Sequence, residues 1–121
     1  MSMCDRVRFA VFDLDDTLYP AECGMWLEIR KRINTYMVEQ LGIPEADVPM
    51  QRERYFCEHG TSLAGLRYDY PDIDTDEYLA YVHDLPYDRL LSRNDALSKM
   101  LGELKMHKSV FTNSDRAHAL R

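Results

Sequence analysis

The string Phe12-Asp13-Leu14-Asp15-Asp16-Thr17-Leu18-Tyr19-Pro20 sets two carboxylates two residues apart directly after an apolar run. Like charges held that close repel, so a bound cation or a shared proton is the natural remedy. In an acidic chain an isolated Asp-x-Asp-x-Thr also arises by chance as a solvated turn. Its placement argues otherwise, because ligand chemistry in open α/β sheets gathers at the carboxyl ends of strands. A calcium loop of the EF-hand type is excluded. That loop needs Gly at its sixth position and Glu at its twelfth, where this chain has Leu18 and Gly24.

The elements that must position these acids follow from the pattern around them. Residues 7 to 12, Val-Arg-Phe-Ala-Val-Phe, end in an apolar run rich in aromatic and β-branched side chains, as a buried parallel strand does. Pro20 then breaks the pattern. From Trp26 the apolar positions Trp26, Ile29, Ile33, Met37 and Leu41 recur at intervals of three or four, predicting one face of a helix that Gly42 terminates. Glu45 to His59 reads as a second helix and Thr61 to Tyr68 as a shorter one before the turn Tyr70-Pro71-Asp72. Asp74 with Glu77 has the form of an N-cap pair, and Ser92 with Asp95 repeats it before Leu97, Leu101 and Leu104. Lys108-Ser-Val-Phe-Thr112 returns to strand character, and Ser114 is placed to cap a last helix through Leu120. A crossover of this length between two strands far exceeds an ordinary βαβ connection and implies an inserted helical module.

Composition narrows the classes. The formal net charge of -6 and pI near 5.1 leave no electrostatic footprint for nucleic acid or an anionic membrane, so neither is expected as a partner. Cys4, Cys23 and Cys57 lack CxxC or neighbouring His spacing and read as reduced thiols. The apolar run at Phe9–Phe12 is too short for a signal-peptide core, and no later stretch approaches a membrane span. A cytoplasmic protein is expected. At 121 residues the chain suits one domain of ordinary size. His59, His83, His107 and His118 show no metal-ligand spacing and read as ordinary surface or core residues. Thr61, Gly65 and Tyr68 read as packing positions on a small helical bundle, with a nucleotide pocket as the alternative.

The Asp13-to-Pro20 string resembles the first motif of the haloacid dehalogenase superfamily. Val110-Phe111-Thr112-Asn113-Ser114-Asp115 resembles its second, a hydrophobic strand ending in Thr or Ser. Further similarity to the pyrimidine 5'-nucleotidase-like branch lies in Tyr36-Met37-Val38-Glu39-Gln40-Leu41-Gly42-Ile43, Gly60-Thr61-Ser62-Leu63-Ala64-Gly65-Leu66 and Leu85-Pro86-Tyr87-Asp88. The resemblance implies an α/β fold with a Rossmann-like core of two parallel strands, residues 1–19 and 105–121, and a helical cap inserted over residues 20–104. It implies a phosphatase for small phosphate monoesters such as nucleoside 5'-monophosphates. Asp13 would be the nucleophile that forms an aspartyl-phosphate, and Asp15 the proton donor. Magnesium would sit on Asp13 and the backbone carbonyl of Asp15, and Thr112 and Asn113 would bind phosphate. Asp16 and Thr17 would shape the turn.

Two further motifs of that superfamily, a Lys or Arg and an acidic pair, normally follow the second motif at a distance. Only nine residues follow Thr112 here, without a Lys. The expectation is an N-terminal portion of the fold, with weak or no turnover, an incomplete sheet and self-association through its uncovered edges. The alternative is a non-catalytic interaction or regulatory protein that keeps the helical module.

Overall fold

The structure is a computed structural model that describes residues 6–121; Cys4 and the first five positions of the expected core segment lie outside the described residues. It is a helix-rich α/β chain. The elements run β1 (Phe9–Phe12), α1 (Met25–Glu39), α2 (Val48–His59), α3 (Ser62–Asp69), α4 (Thr75–Val82), α5 (Tyr87–Leu90), α6 (Asp95–Glu103), β2 (His107–Val110) and α7 (Arg116–Ala119). Three-residue 3₁₀ turns at Ala21–Cys23 and Glu45–Asp47 precede α1 and α2.

The chain groups into two compact units. One holds the described residues up to Met25 together with Pro86–Arg121, and the other holds Trp26–Leu85. The joints of this grouping fall at 25/26 and 85/86, so α5 and α6 group with the strands.

In the first unit β1 and β2 pair in parallel, with Phe9 opposite His107 and Phe12 opposite Val110. The ladder is extended at both ends, by His107 N–H to the Arg8 carbonyl and Phe111 N–H to the Phe12 carbonyl, both 2.9 Å. The parallel pairing agrees with the pattern; the expected burial of β1 does not. Phe9 and Val11 are about 70% exposed, and Val110 and Phe111 are exposed as well. A buried strand needs a neighbour on each side and a layer on each face, and among the described residues β1 has one neighbouring strand. The strand also starts at Phe9 rather than Val7. α5 was not foreseen.

The second unit carries a core of its own. Ile29, Ile33, Tyr36 and Met37 from α1 are buried with Val48 and Tyr55 from α2, Leu66 from α3 and Tyr78 and Val82 from α4. Spacings of four, three and one keep the α1 set on one face. Trp26 is about half exposed, and Leu41 lies past the end of the helix, so the buried stripe runs through Tyr36 instead. Tyr36 meets Tyr78 and Tyr81 edge-on at 5.0 and 5.3 Å, a favoured aromatic geometry. Arg32 donates from Nε to the Tyr81 carbonyl at 2.9 Å and lies over the Tyr81 ring, fastening α1 to α4.

Local signals set the helix ends. After α1, Gly42 takes φ +69°, with Gly42 N–H on the Val38 carbonyl and Ile43 N–H on the Met37 carbonyl, which satisfies carbonyls left open at a helix end. Thr61 caps α3 by accepting from Ala64 N–H, and Asp74 caps α4 by accepting from Asp76 and Glu77 N–H. α6 is capped by Asn94, whose side chain accepts from Leu97 N–H at 2.9 Å; the expected cap, Ser92, lies two residues too early to reach it. Ser114 does not cap α7. The residue at that position is Asp115, and the Ser114 hydroxyl is used elsewhere.

Candidate functional site

The acidic string leaves β1 into a turn in which the Thr17 and Leu18 N–H groups both bond the Leu14 carbonyl. Asp16 sits in the left-handed region at φ +59°, a conformation Asp tolerates better than most residues. The turn divides its two neighbours. Asp13 stays exposed, with Oδ1 accepting from Leu14 N–H at 3.0 Å and Oδ2 from the Thr17 hydroxyl at 3.3 Å. Asp16 and Thr17 thus build the turn and orient Asp13.

Asp15 is drawn inward. Its Oδ2 accepts the Ser114 hydroxyl at 2.6 Å and, more distantly at 3.5 Å, the Thr112 hydroxyl. Its Oδ1 accepts the Tyr19 hydroxyl and faces Nε2 of His118 at 3.1 Å. A carboxylate offers about four lone-pair sites, and four side chains fill them here. The segment Thr112-Asn113-Ser114 is folded on itself by Ser114 N–H donating to the Thr112 hydroxyl at 3.0 Å, and Asn113 lies exposed between the two. The structure therefore brings Asp15, Thr112 and Ser114 together across a sequence gap of nearly 100 residues, at the carboxyl ends of β1 and β2. Asp13 and Asn113 flank this cluster in sequence without a side-chain bond to it among those observed.

Burial pushes the Asp15 carboxyl up, but hydrogen bonds from Ser114, Tyr19 and His118, together with the charge His118 can carry, outweigh it and hold Asp15 below the ordinary carboxylate value. Tyr19 moves the other way. Burial, its bond to Asp15 and the nearby negative charge push the phenol above its ordinary value, so it remains a donor. This environment therefore favours the ionised form of Asp15.

Sequence spacing did not single out Ser114 or His118 as partners of Asp15. Ser114 read as a helix cap. His118 read as an ordinary histidine, yet it is 5% exposed and touches a carboxylate in the acidic string. The general signal available was position alone: Ser114 is two residues beyond a strand-end Thr, and His118 is one helical turn further. A cavity of about 450 Å³ in the same unit shares Tyr19 and His118 with this cluster and is otherwise walled by Leu14, Leu18, Tyr87 and Leu97 among others. Among the described residues no group of three or more His, Cys, Asp or Glu side chains is gathered as for a metal ion. Also among them, no helix is long and apolar enough to cross a membrane.

The fold and the cluster define an α/β chain with acidic and hydroxyl side chains converging at the ends of two parallel strands. Phosphate metabolism protein 8 of Saccharomyces cerevisiae is 29% identical over 118 residues, an overlap that takes in 91% of this chain and 37% of that protein. The chain therefore spans little more than a third of the length of that curated relative. No protein-family profile matches the chain.

Proposed function

We propose that the chain carries the nucleophile-bearing part of a haloacid dehalogenase-type phosphatase acting on small phosphate monoesters, with nucleoside 5'-monophosphates as the leading substrate class. The observation that supports this reading best is the meeting of Asp15 with Thr112 and Ser114 at adjacent strand ends, since two distant motifs converge on one carboxylate. The name of the yeast relative, which refers to phosphate metabolism, points the same way.

In this reading a carboxylate oxygen of Asp13 attacks phosphorus, and the bond from phosphorus to the ester oxygen breaks. Asp15 gives its proton to the departing alkoxide. Water then attacks the aspartyl-phosphate, Asp15 takes a proton from that water, and the Asp13 carboxylate and inorganic phosphate are released. The ionised form of Asp15, which its hydrogen-bond donors favour, suits the second half. Its protonation for the first half is favoured by the arriving phosphate, whose negative charge opposes a second anion beside it. Thr112, with the backbone N–H of Asn113, is assigned to the phosphoryl oxygens. The donor chemistry admits magnesium in a limited way. That ion keeps several waters and takes one or two carboxylates plus substrate phosphate, so the exposed Asp13 carboxylate and the Asp15 carbonyl are the residues that would hold it. It would supply charge neutralisation between phosphate and carboxylates. The free thiols Cys23 and Cys57 suit a reducing compartment, so the cytosol is the proposed location.

A second reading is favoured by one specific observation. Phe9, Val11, Val110 and Phe111 leave apolar surface exposed on both strands, as an interaction module would. Phosphate release from nucleoside monophosphates and sugar phosphates, measured with and without magnesium, separates the two. The phosphatase reading expects slow release that needs magnesium and disappears in Asp13→Asn. Release indifferent to Asp13→Asn refutes it, and magnesium-dependent release lost in Asp13→Asn excludes the interaction module.

A further inference from the structure

Among the described residues His118 is a buried polar side chain of the strand-bearing unit, with only 2% of the side chain accessible. Both of its ring nitrogens are engaged by groups far away in sequence. Nε2 faces Asp15 Oδ1 at 3.1 Å, and Nδ1 lies 2.8 Å from the Tyr87 hydroxyl. The tilted rings of His118 and Tyr87 are 5.7 Å apart, and the Arg121 guanidinium lies over the Tyr87 ring. With Asp15 as a carboxylate, which only accepts, His118 donates to it from Nε2. In the neutral ring Nδ1 is then an acceptor for the Tyr87 hydroxyl.

This bond divides the labour of the Asp15 carboxyl. The terminal torsion of an aspartate is broad, so without fixed partners its two oxygens exchange places easily. Oδ1 is held by His118 and Tyr19, side chains with no part in the phosphoryl chemistry assigned above. Oδ2 faces the hydroxyls of Thr112 and Ser114, on the segment assigned to phosphate. We propose that His118, oriented by Tyr87, is a positioning residue that locks Oδ1 of Asp15 and thereby leaves Oδ2 as the oxygen that carries the transferred proton. The inference rests on the phosphatase reading for its consequence in catalysis, while the orientation itself is a property of the folded chain.

Two measurements on the purified chain keep these separate. The first is structural. With carbon-labelled aspartate and nitrogen-labelled histidine, the Asp15 carboxyl resonance is expected to move in His118→Gln, His118→Leu and Tyr87→Phe, while that of the remote Asp74 stays in place. An Asp15 resonance unmoved by all three, in variants whose circular dichroism matches the parent, overturns the proposal whatever the activity.

The second is kinetic. A proton donor contributes about 10²–10⁴ to a rate, and most where the leaving group is a poor one. With magnesium present, His118→Leu is expected to lower kcat on an alkyl phosphate about tenfold more than on p-nitrophenyl phosphate, with KM little changed. His118→Gln, which retains an N–H near the Nε2 position, is expected to recover most of that difference. Equal losses on both substrates, or a Gln variant no better than Leu, mean a merely structural histidine and overturn the proposal. If the parent chain turns over neither substrate while the Asp15 resonance responds as expected, the positioning role stands and turnover by this portion alone is refuted; the phosphatase reading itself falls if release survives Asp13→Asn.

Discussion

Gly65 gives the most sharply worked prediction. It lies within α3 at helical φ and faces Tyr55 of α2; a methyl added to its Cα would come 2.5 Å from Tyr55 Cβ and nearer still to the first carbons of the ring. Those atoms are the root of the side chain, not a flexible tip. Tyr55 has nowhere to go, being 1% exposed with its hydroxyl donating to Asp69 at 2.7 Å. Gly65→Ala gains about 1 kcal/mol from helix propensity. Forcing an extra methyl into a packed core costs about 1–3 kcal/mol, and the rigid neighbour places this site near the top of that range. The expected net loss is about 2 kcal/mol, or a melting temperature lower by about 10 °C for a domain of this size. Gly102 in α6 is the internal control, because nothing lies within 4 Å of the Cβ it would acquire. Gly102→Ala is expected to stabilise by about 0.5 kcal/mol through propensity alone. Thermal and urea unfolding followed by far-UV circular dichroism measure both. Stabilisation by Gly65→Ala equal to that by Gly102→Ala would refute the claim that α2 and α3 meet at a glycine because no larger residue fits.

Removing the α4 cap by Asp74→Ala takes away the acceptor for two N–H groups at 3.0 Å and is expected to cost about 1 kcal/mol in urea unfolding; a change within error would show that water replaces the cap without loss. The Tyr55 hydroxyl and then Arg54 hold Asp69 below its ordinary carboxylate value. A depressed folded-state pKa means a contribution present above the unfolded value of about 3.9 and lost as pH falls through the folded one. The parent is therefore expected to be more stable than Asp69→Asn at neutral pH, with the gap closing in acid. A gap that stays constant or widens below about pH 4 would contradict the Tyr55–Asp69 pairing.

What the sequence by itself determined was local. Asp74 caps a helix through partners two and three residues away, Gly42 turns the chain four residues after Val38, and the α1 stripe repeats every three or four positions, so each of these interactions is written into spacing. The strand character of the segments before Asp13 and around Ser109 was equally legible, along with the long helical crossover between them. Only the tertiary structure decided the rest. Ser114, read as a cap, lends its hydroxyl to Asp15 across 99 positions, and His118, read as an ordinary histidine, meets the same carboxylate through its ring Nε2 across 103. Gly65 was legible as packing, but its partner Tyr55 was not. β1 has the composition of a buried strand and is exposed, because burial depends on which neighbours a sheet acquires, and Trp26 begins the apolar stripe yet faces outward. The physical reason is common to all of these. A cap or a helix face is fixed by bonds a few residues long, whereas the partner of a carboxylate or the cover of a strand depends on how distant segments close on one another, and no short-range pattern records that.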